Sequence, residues 1–131
     1  MTDFLNVEDL WAAAEAALGR PPEVGDWGLL EGAFGRPQAT VFGEDAYPGL
    51  AGKAAALLHS MCTTQPLIDG NKRTGWVAMR LFYLLNGRDI RVAEDEAYDF
   101  VLDFAEGRLV GVEKIAERLR LWEVPAASAR T

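Results

Sequence analysis

The chain has one cysteine, Cys62, and one histidine, His59, among 131 residues. A lone cysteine excludes an internal disulfide and fits a reducing compartment. With no second cysteine or histidine at ligand spacing, the sequence also argues against a zinc site. Positive charge is scarce too. Thirteen Lys and Arg against twenty Asp and Glu leave a net charge of −7, so non-specific attraction to nucleic acid or to an anionic membrane is not expected. Long apolar runs are missing: the longest, Gly75 to Leu85, is broken by Arg80 and spans about 16 Å as a helix, half a bilayer. The opening Met1-Thr2-Asp3-Phe4-Leu5 has no basic stretch ahead of an apolar one, so the expectation is a cytoplasmic protein without a signal peptide.

What is present suits one compact domain. Half the residues are apolar and a quarter charged, which excludes wholesale disorder. The charge is unevenly spread. Residues 1–66 hold nine acids and three bases (Arg20, Arg36, Lys53), whereas residues 67–131 hold eleven acids and ten bases. Periodicity predicts six helices. Asn6 caps the first, which carries Val7, Leu10, Trp11, Ala14 and Leu18 on one face and stops at Gly19. Asp26 caps a short second one holding Leu29, Leu30 and Phe34. A third follows Pro48, with Leu50, Ala54, Leu57, Leu58 and Met61 on one face. The fourth starts near Asn71 and is apolar nearly all round, which places it at the centre. Two amphipathic helices complete the set, one with Ala97, Phe100, Val101 and Phe104, the other with Val112, Ile115, Leu119 and Trp122. Gln38 to Phe42, between Pro37 and Gly43, reads as a short strand, and Arg88 to Val92 as a second. The fold class is all-α, with residues 1–124 as the domain and 125–131 as a fraying tail.

Chemistry concentrates in Pro66-Leu67-Ile68-Asp69-Gly70-Asn71-Lys72-Arg73-Thr74-Gly75. A tight Asp-Gly turn opens onto a helix N-terminus, where free N–H groups and the positive end of the dipole attract an anion. Lys72 and Arg73 occupy the first turn, where acids would stabilise a helix and bases do not. Each residue alone is as well explained by a cap, a turn and a solvated surface. Taken together they point to phosphate, with Arg73 as a fork, Lys72 as a point charge and Asp69 as a ligand for Mg²⁺. His59 lies about 180° from the apolar face of the third helix and reads as exposed or facing a partner. Cys62 reads as buried packing, and the four tryptophans as core or groove residues.

This segment resembles the signature of the Fic/Doc (Fido) family. Fic members read His-x-Phe-x-Asp/Glu-Gly-Asn-Gly-Arg-x-x-Arg, while Doc, or death-on-curing, members place lysine at the second glycine and lack the last arginine. Here Lys72 and Trp76 stand at those two positions, which is the Doc pattern. Arg36 to Gly43, followed by Tyr47-Pro48, resembles the flap over the active site. The resemblance implies a Fido fold of about six helices around a buried central helix, with a short β flap. It also implies an ATP- and Mg²⁺-dependent toxin that phosphorylates a hydroxyl on elongation factor Tu, arrests translation, and is neutralised by a Phd-type antitoxin. Carried over by position, Asp69 binds Mg²⁺. Gly70 and Asn71 shape the anion nest, Lys72 and Arg73 hold phosphates, and Thr40, Val41 and Phe42 align the target by strand addition. Direct binding of nucleic acid or membrane is not expected, given the net charge of −7.

The chain departs from the family pattern at the base. The histidine position is Gln65, and Leu67 replaces a phenylalanine. A glutamine amide orients a hydroxyl but takes no proton at neutral pH, and losing a general base costs about 10²–10⁴ in rate. Gln65 is either an engineered replacement or a natural change in a degenerate member. Two classes of function stay open: an impaired phosphotransferase toxin, or a non-catalytic module that binds a nucleotide or a protein. An AMP transferase is the weakest reading, because Trp76 supplies no second phosphate-binding arginine.

Overall fold

The computed structural model describes residues 1–127, and the expected tail over 128–131 lies outside them. Six helices form: α1 Val7–Leu18, α2 Trp27–Gly35, α3 Leu50–Thr64, α4 Asn71–Leu85, α5 Glu94–Ala105 and α6 Val112–Trp122. The caps read from sequence are in place. The Asn6 side chain accepts from Asp9 N at 2.8 Å, and the Asp9 carboxylate accepts from Asn6 N at 3.0 Å. Asp26 accepts from Leu29 N at 3.0 Å, and Gly19 ends α1 in the left-handed region. The fold is all-α, with two short antiparallel strand pairs.

The expected strand Gln38–Phe42 is shorter than the sequence reading. Gln38 belongs to a single 3₁₀ turn over Arg36–Gln38, and β1 is Thr40–Val41 alone. It pairs with β2, Glu44–Asp45, through Thr40↔Asp45 and Val41↔Glu44. Phe42 (φ +52°) and Gly43 (φ +79°) form the two-residue turn between them. Two successive positive φ values give the twist that a tight hairpin needs. With phenylalanine at the first position, the sequence carried no turn signal there.

The second strand, β3, covers Arg88–Ile90 and pairs with β4, Glu123–Pro125. Ala126 N adds a bond to Gly87 O at 3.1 Å. The chain beyond Trp122 is therefore fastened at least as far as Ala126, and Pro125 does not open a tail. Arg80, which interrupts the apolar run of α4, forks onto Asp89 of β3 with bonds of 2.8 to 3.0 Å. Those bonds hold the Asp89 carboxyl below its ordinary pKa.

The innermost helix is α3, not α4. Ala54, Ala55, Ala56, Leu58 and Met61 are fully buried, and Leu57 and Cys62 nearly so. Three successive buried alanines point about 100° apart, so α3 is enclosed on every side. Alanine makes this feasible, because neighbouring helices approach a surface that has no long side chains. On α4 the buried face is Thr74, Gly75, Ala78, Met79, Phe82 and Tyr83, while Leu84 and Leu85 are each 44% exposed. Its apolar circumference is larger than its buried face, which is why periodicity overrated its depth. At the α3–α4 crossing, a Cβ on Gly75 would sit 3.0 Å from Met61 Cβ. Val7, expected on the buried face of α1, is 55% exposed in its first turn.

Enclosure of α3 has a measurable consequence. Ala54→Leu, Ala55→Leu and Ala56→Leu should each destabilise the domain by about 1–3 kcal/mol through overpacking. Ala12→Leu, at an exposed position of α1, should stay within about 0.5 kcal/mol in the same denaturant titrations.

Candidate functional site

The segment joining α3 to α4 is held by its backbone and by one side chain. α3 ends at Gln65, which adopts φ +51° and ψ +61°. Gln65 and Phe42 are the only non-glycine residues with positive φ among the described residues. A left-handed glutamine is strained, and such strain collects at functional positions. Beyond it the chain runs antiparallel to residues 23–26. Gly25 N and Asp26 N both donate to Pro66 O, at 2.8 and 3.0 Å, and Ile68 N donates to Glu23 O at 2.8 Å.

Asn71 then closes the loop on itself. Its Oδ1 accepts from Leu67 N and its Nδ2 donates to Leu67 O, both at 2.9 Å. The carboxamide is nearly buried and spends its donor and acceptor on one residue's backbone. No charged side chain does both, which is the physical reason for asparagine here. Gly70 supplies the turn at φ +78°, and a Cβ on it would lie 2.2 Å from Leu18 Cδ2 of α1. A larger residue is excluded by conformation and by space together.

The consequence is an exposed helix start. The first intrahelical bond of α4 runs from Thr74 N to Gly70 O, so the amides of Asn71, Lys72 and Arg73 precede the ladder. No side chain caps them, and no acid sits in the first turn. Lys72 and Arg73 are exposed and make no ion pair among the described residues. Asp69, 69% exposed at its side chain, bonds Arg20 at 3.2 Å. The structure thus sets Gln65, Asp69 and Gly70 in the connecting loop, with Asn71, Lys72 and Arg73 in the first turn of α4. Asn71 serves the loop itself, a role the sequence did not disclose.

Fit to the implied ligands follows from the donor set. Free amides, a dipole end and two unpaired cations suit a polyphosphate. Asp69 is a single carboxylate, and no cluster of three metal-ligating side chains occurs among the described residues. One carboxylate completed by phosphate oxygens and water is the usual way to hold Mg²⁺. Asp69 fits that role, with Arg20 as its present partner.

Lys72 and Arg73 also stand at the rim of a groove between α1, α4 and α5. This groove, about 430 Å³ in volume, is floored by Trp76, Val77, Ala97, Val101 and Leu102 and is largely apolar. It continues along α1 and α4 past Ala13, Leu81 and Leu84. Trp76 sits edge-on to Phe100, with ring centroids 6.4 Å apart. Trp122 packs on the same ring at 5.0 Å. Trp27 departs from the expected groove or core placement: it is 57% exposed, in a parallel stack with Trp11.

The hairpin carries Thr40 and Val41 in β1, whereas Phe42 sits in the turn and is fully exposed. Of the three residues expected to align a target, Thr40 and Val41 lie in a strand and Phe42 does not. The hairpin is fastened to α3 near His59 and Ser60, and Gln65 follows Ser60 by about 8 Å along the helix axis. His59 is half-buried, not exposed: its Nδ1 accepts from Arg36 Nη1 at 2.9 Å. The thiol of Cys62 is pushed up to about 12 by burial, with Lys72 pulling weakly the other way, so it is no nucleophile.

Comparison with known proteins identifies the family. The family described as Fic/DOC matches residues 4–83. Toxin Doc from Mycolicibacterium smegmatis is 48% identical over 106 residues, covering 81% of this chain and 77% of that protein. The chain belongs to the Fic/Doc family, in its Doc branch.

Two outcomes follow from the loop and from α3. Asn71→Ala strands both backbone groups of Leu67 and should cost about 2–4 kcal/mol in denaturant unfolding. His59 is held below 6.5 by burial and secondarily by Arg36, so the unfolded chain binds more protons once pH drops under that value. The melting temperature should accordingly fall from about pH 7.5 to about pH 5.5, and His59→Gln should flatten that slope.

Proposed function

We propose that this protein is a Doc-type toxin of a toxin–antitoxin module, acting in the cytoplasm as an ATP- and Mg²⁺-dependent protein kinase on a hydroxyl of elongation factor Tu, and impaired by Gln65. The observation that carries the reading is the uncapped, cationic start of α4, presented by a loop that Asn71 closes and Gly70 seats. ATP supplies the transferable phosphoryl group, and Mg²⁺ neutralises the phosphates beside it.

In this reading the amides after Gly70, with Lys72 and Arg73, bind and orient the polyphosphate. Arg73 suits two phosphate oxygens at once, and Lys72 acts as a point charge. Asp69 holds the metal, exchanging its bond to Arg20. Gln65, at the histidine position, hydrogen-bonds the target hydroxyl without removing its proton. Positioning and charge stabilisation carry most of phosphoryl transfer, so weak activity survives the loss of the base.

The groove beside the site supports an antitoxin-binding role for this face. An amphipathic helix of a Phd-type partner, apolar on one face and acidic at its edge, matches the groove of Trp76, Val77, Val101 and Leu102 with Lys72 and Arg73 at its rim. Such a helix competes with phosphate for the two cations, which is a physical route to neutralisation.

Gln65 also favours a second reading, a non-catalytic module that binds nucleotide or partner without turnover. AMP transfer has least support, since Trp76 is committed to the groove and to Phe100. Gln65→His with labelled ATP separates the three. The first reading expects transfer of the γ-label to elongation factor Tu to rise by about 10²–10⁴. Transfer of the α-label makes the protein an AMP transferase, and neither label moving, with no growth arrest, leaves the binding module.

A further inference from the structure

The hairpin that carries Thr40 and Val41 has no burial to hold it. Its four strand residues are exposed, its ladder is two residue pairs long, and one further bond, Ala46 N to Ala39 O at 2.8 Å, extends it. A hairpin of that size does not keep its shape in water unaided. Two cations at its base supply what burial does not.

Arg36 stands just ahead of the hairpin. Its Nε donates to Tyr47 Oη at 2.8 Å, and its Nη1 donates to His59 Nδ1 and to Ser60 Oγ, both at 2.9 Å. One guanidinium thereby joins the chain entering the hairpin, the chain leaving it, and α3. Lys53 acts from α3 itself. It is 4% exposed, and its ammonium donates to Asp45 Oδ2 of β2 at 2.9 Å and to Tyr47 O at 2.7 Å. These are its only partners among the described residues. A hairpin that swung away would leave a buried ammonium unpaired, and that penalty opposes the motion. Asp45 is 59% exposed at its side chain, so the bond ties a surface strand to an interior charge.

We propose that Arg36 and Lys53 are positioning residues that lock the Thr40–Asp45 hairpin onto α3 as a preformed edge, ready to pair with an extended, hydroxyl-bearing segment of the target protein. A preformed edge spares the complex the cost of ordering the six residues Thr40–Asp45 at the moment of binding. The lock stands on its own geometry, while its use in target pairing rests on the phosphotransferase reading above.

Amide hydrogen exchange on the full chain tests the lock without any activity. In Lys53→Met and Arg36→Lys, exchange across residues 39–46 should speed up about tenfold, with α4 and the melting temperature nearly unchanged. Asp45→Asn leaves the Lys53 ammonium with Tyr47 O and a neutral amide, so it should speed exchange over the same residues at some cost in melting temperature, and it decides the matter if Lys53→Met fails to fold. Asp45→Glu should restore protection. Equal exchange in all of these chains overturns the lock. In the Gln65→His background, Asp45→Asn should raise KM for elongation factor Tu about tenfold and leave kcat within about twofold. A loosened hairpin with unchanged KM overturns the role in target pairing. Should Gln65→His itself transfer no label, the phosphotransferase reading fails, and the exchange measurement still decides the lock.

Discussion

The pair of hydrogen bonds between the Asn71 carboxamide and the Leu67 backbone is the constraint on which the rest of this structure depends. It turns a six-residue connection between two helices into a ring of fixed shape. Because the ring is closed by a neutral amide, the first amides of α4 need not be capped by an acid, and the positive dipole end is left free. Gly70 could not be replaced there without moving Leu18, so α1 is part of the same construction. The loop is rigid for reasons unrelated to any ligand, and preorganised charge of this kind is what phosphate binding requires.

Electrostatics separates the cations that build the site from those that would act in it. The acidic half of the chain holds three bases, and each is committed to structure. Arg20 pairs with Asp69, Arg36 binds Tyr47, His59 and Ser60, and Lys53 binds Asp45 and Tyr47 O. Lys72 and Arg73, by contrast, lack any ion pair among the described residues. Two free cations on an uncapped helix end are unfavourable for the helix itself. Their cost is intelligible where a polyphosphate, or an acidic partner helix in the adjoining groove, completes them.

Much of this was legible in the sequence, for reasons that are local. The Asn6 and Asp26 caps, the Gly19 stop and the Asp-Gly turn depend on neighbours within four residues, and all of them formed. The buried faces of α5 and α6 followed from periodicity. What escaped needed tertiary contacts. A helix of alanines carries a weak apolar signal, yet α3 lies deeper than the more apolar α4, because small side chains let neighbours approach. The turn at Phe42 had no glycine-first signature, and β4 acquired its identity only by meeting β3. Asn71 was legible as part of an anion site and not as the staple of its loop, since Leu67 backbone groups leave no trace in composition. The three isolated bases of the acidic half are the ones that hold the hairpin to α3 and pair with Asp69.

The proposed function requires the start of α4 to cradle a nucleoside polyphosphate. Calorimetric titration of the unaltered chain with a non-hydrolysable ATP analogue and Mg²⁺ tests it most directly. Saturable binding is expected, weakened about 10- to 100-fold by Arg73→Ala, as the loss of one charge-assisted phosphate contact requires. Absence of binding heat, or equal affinity in Arg73→Ala, would contradict it.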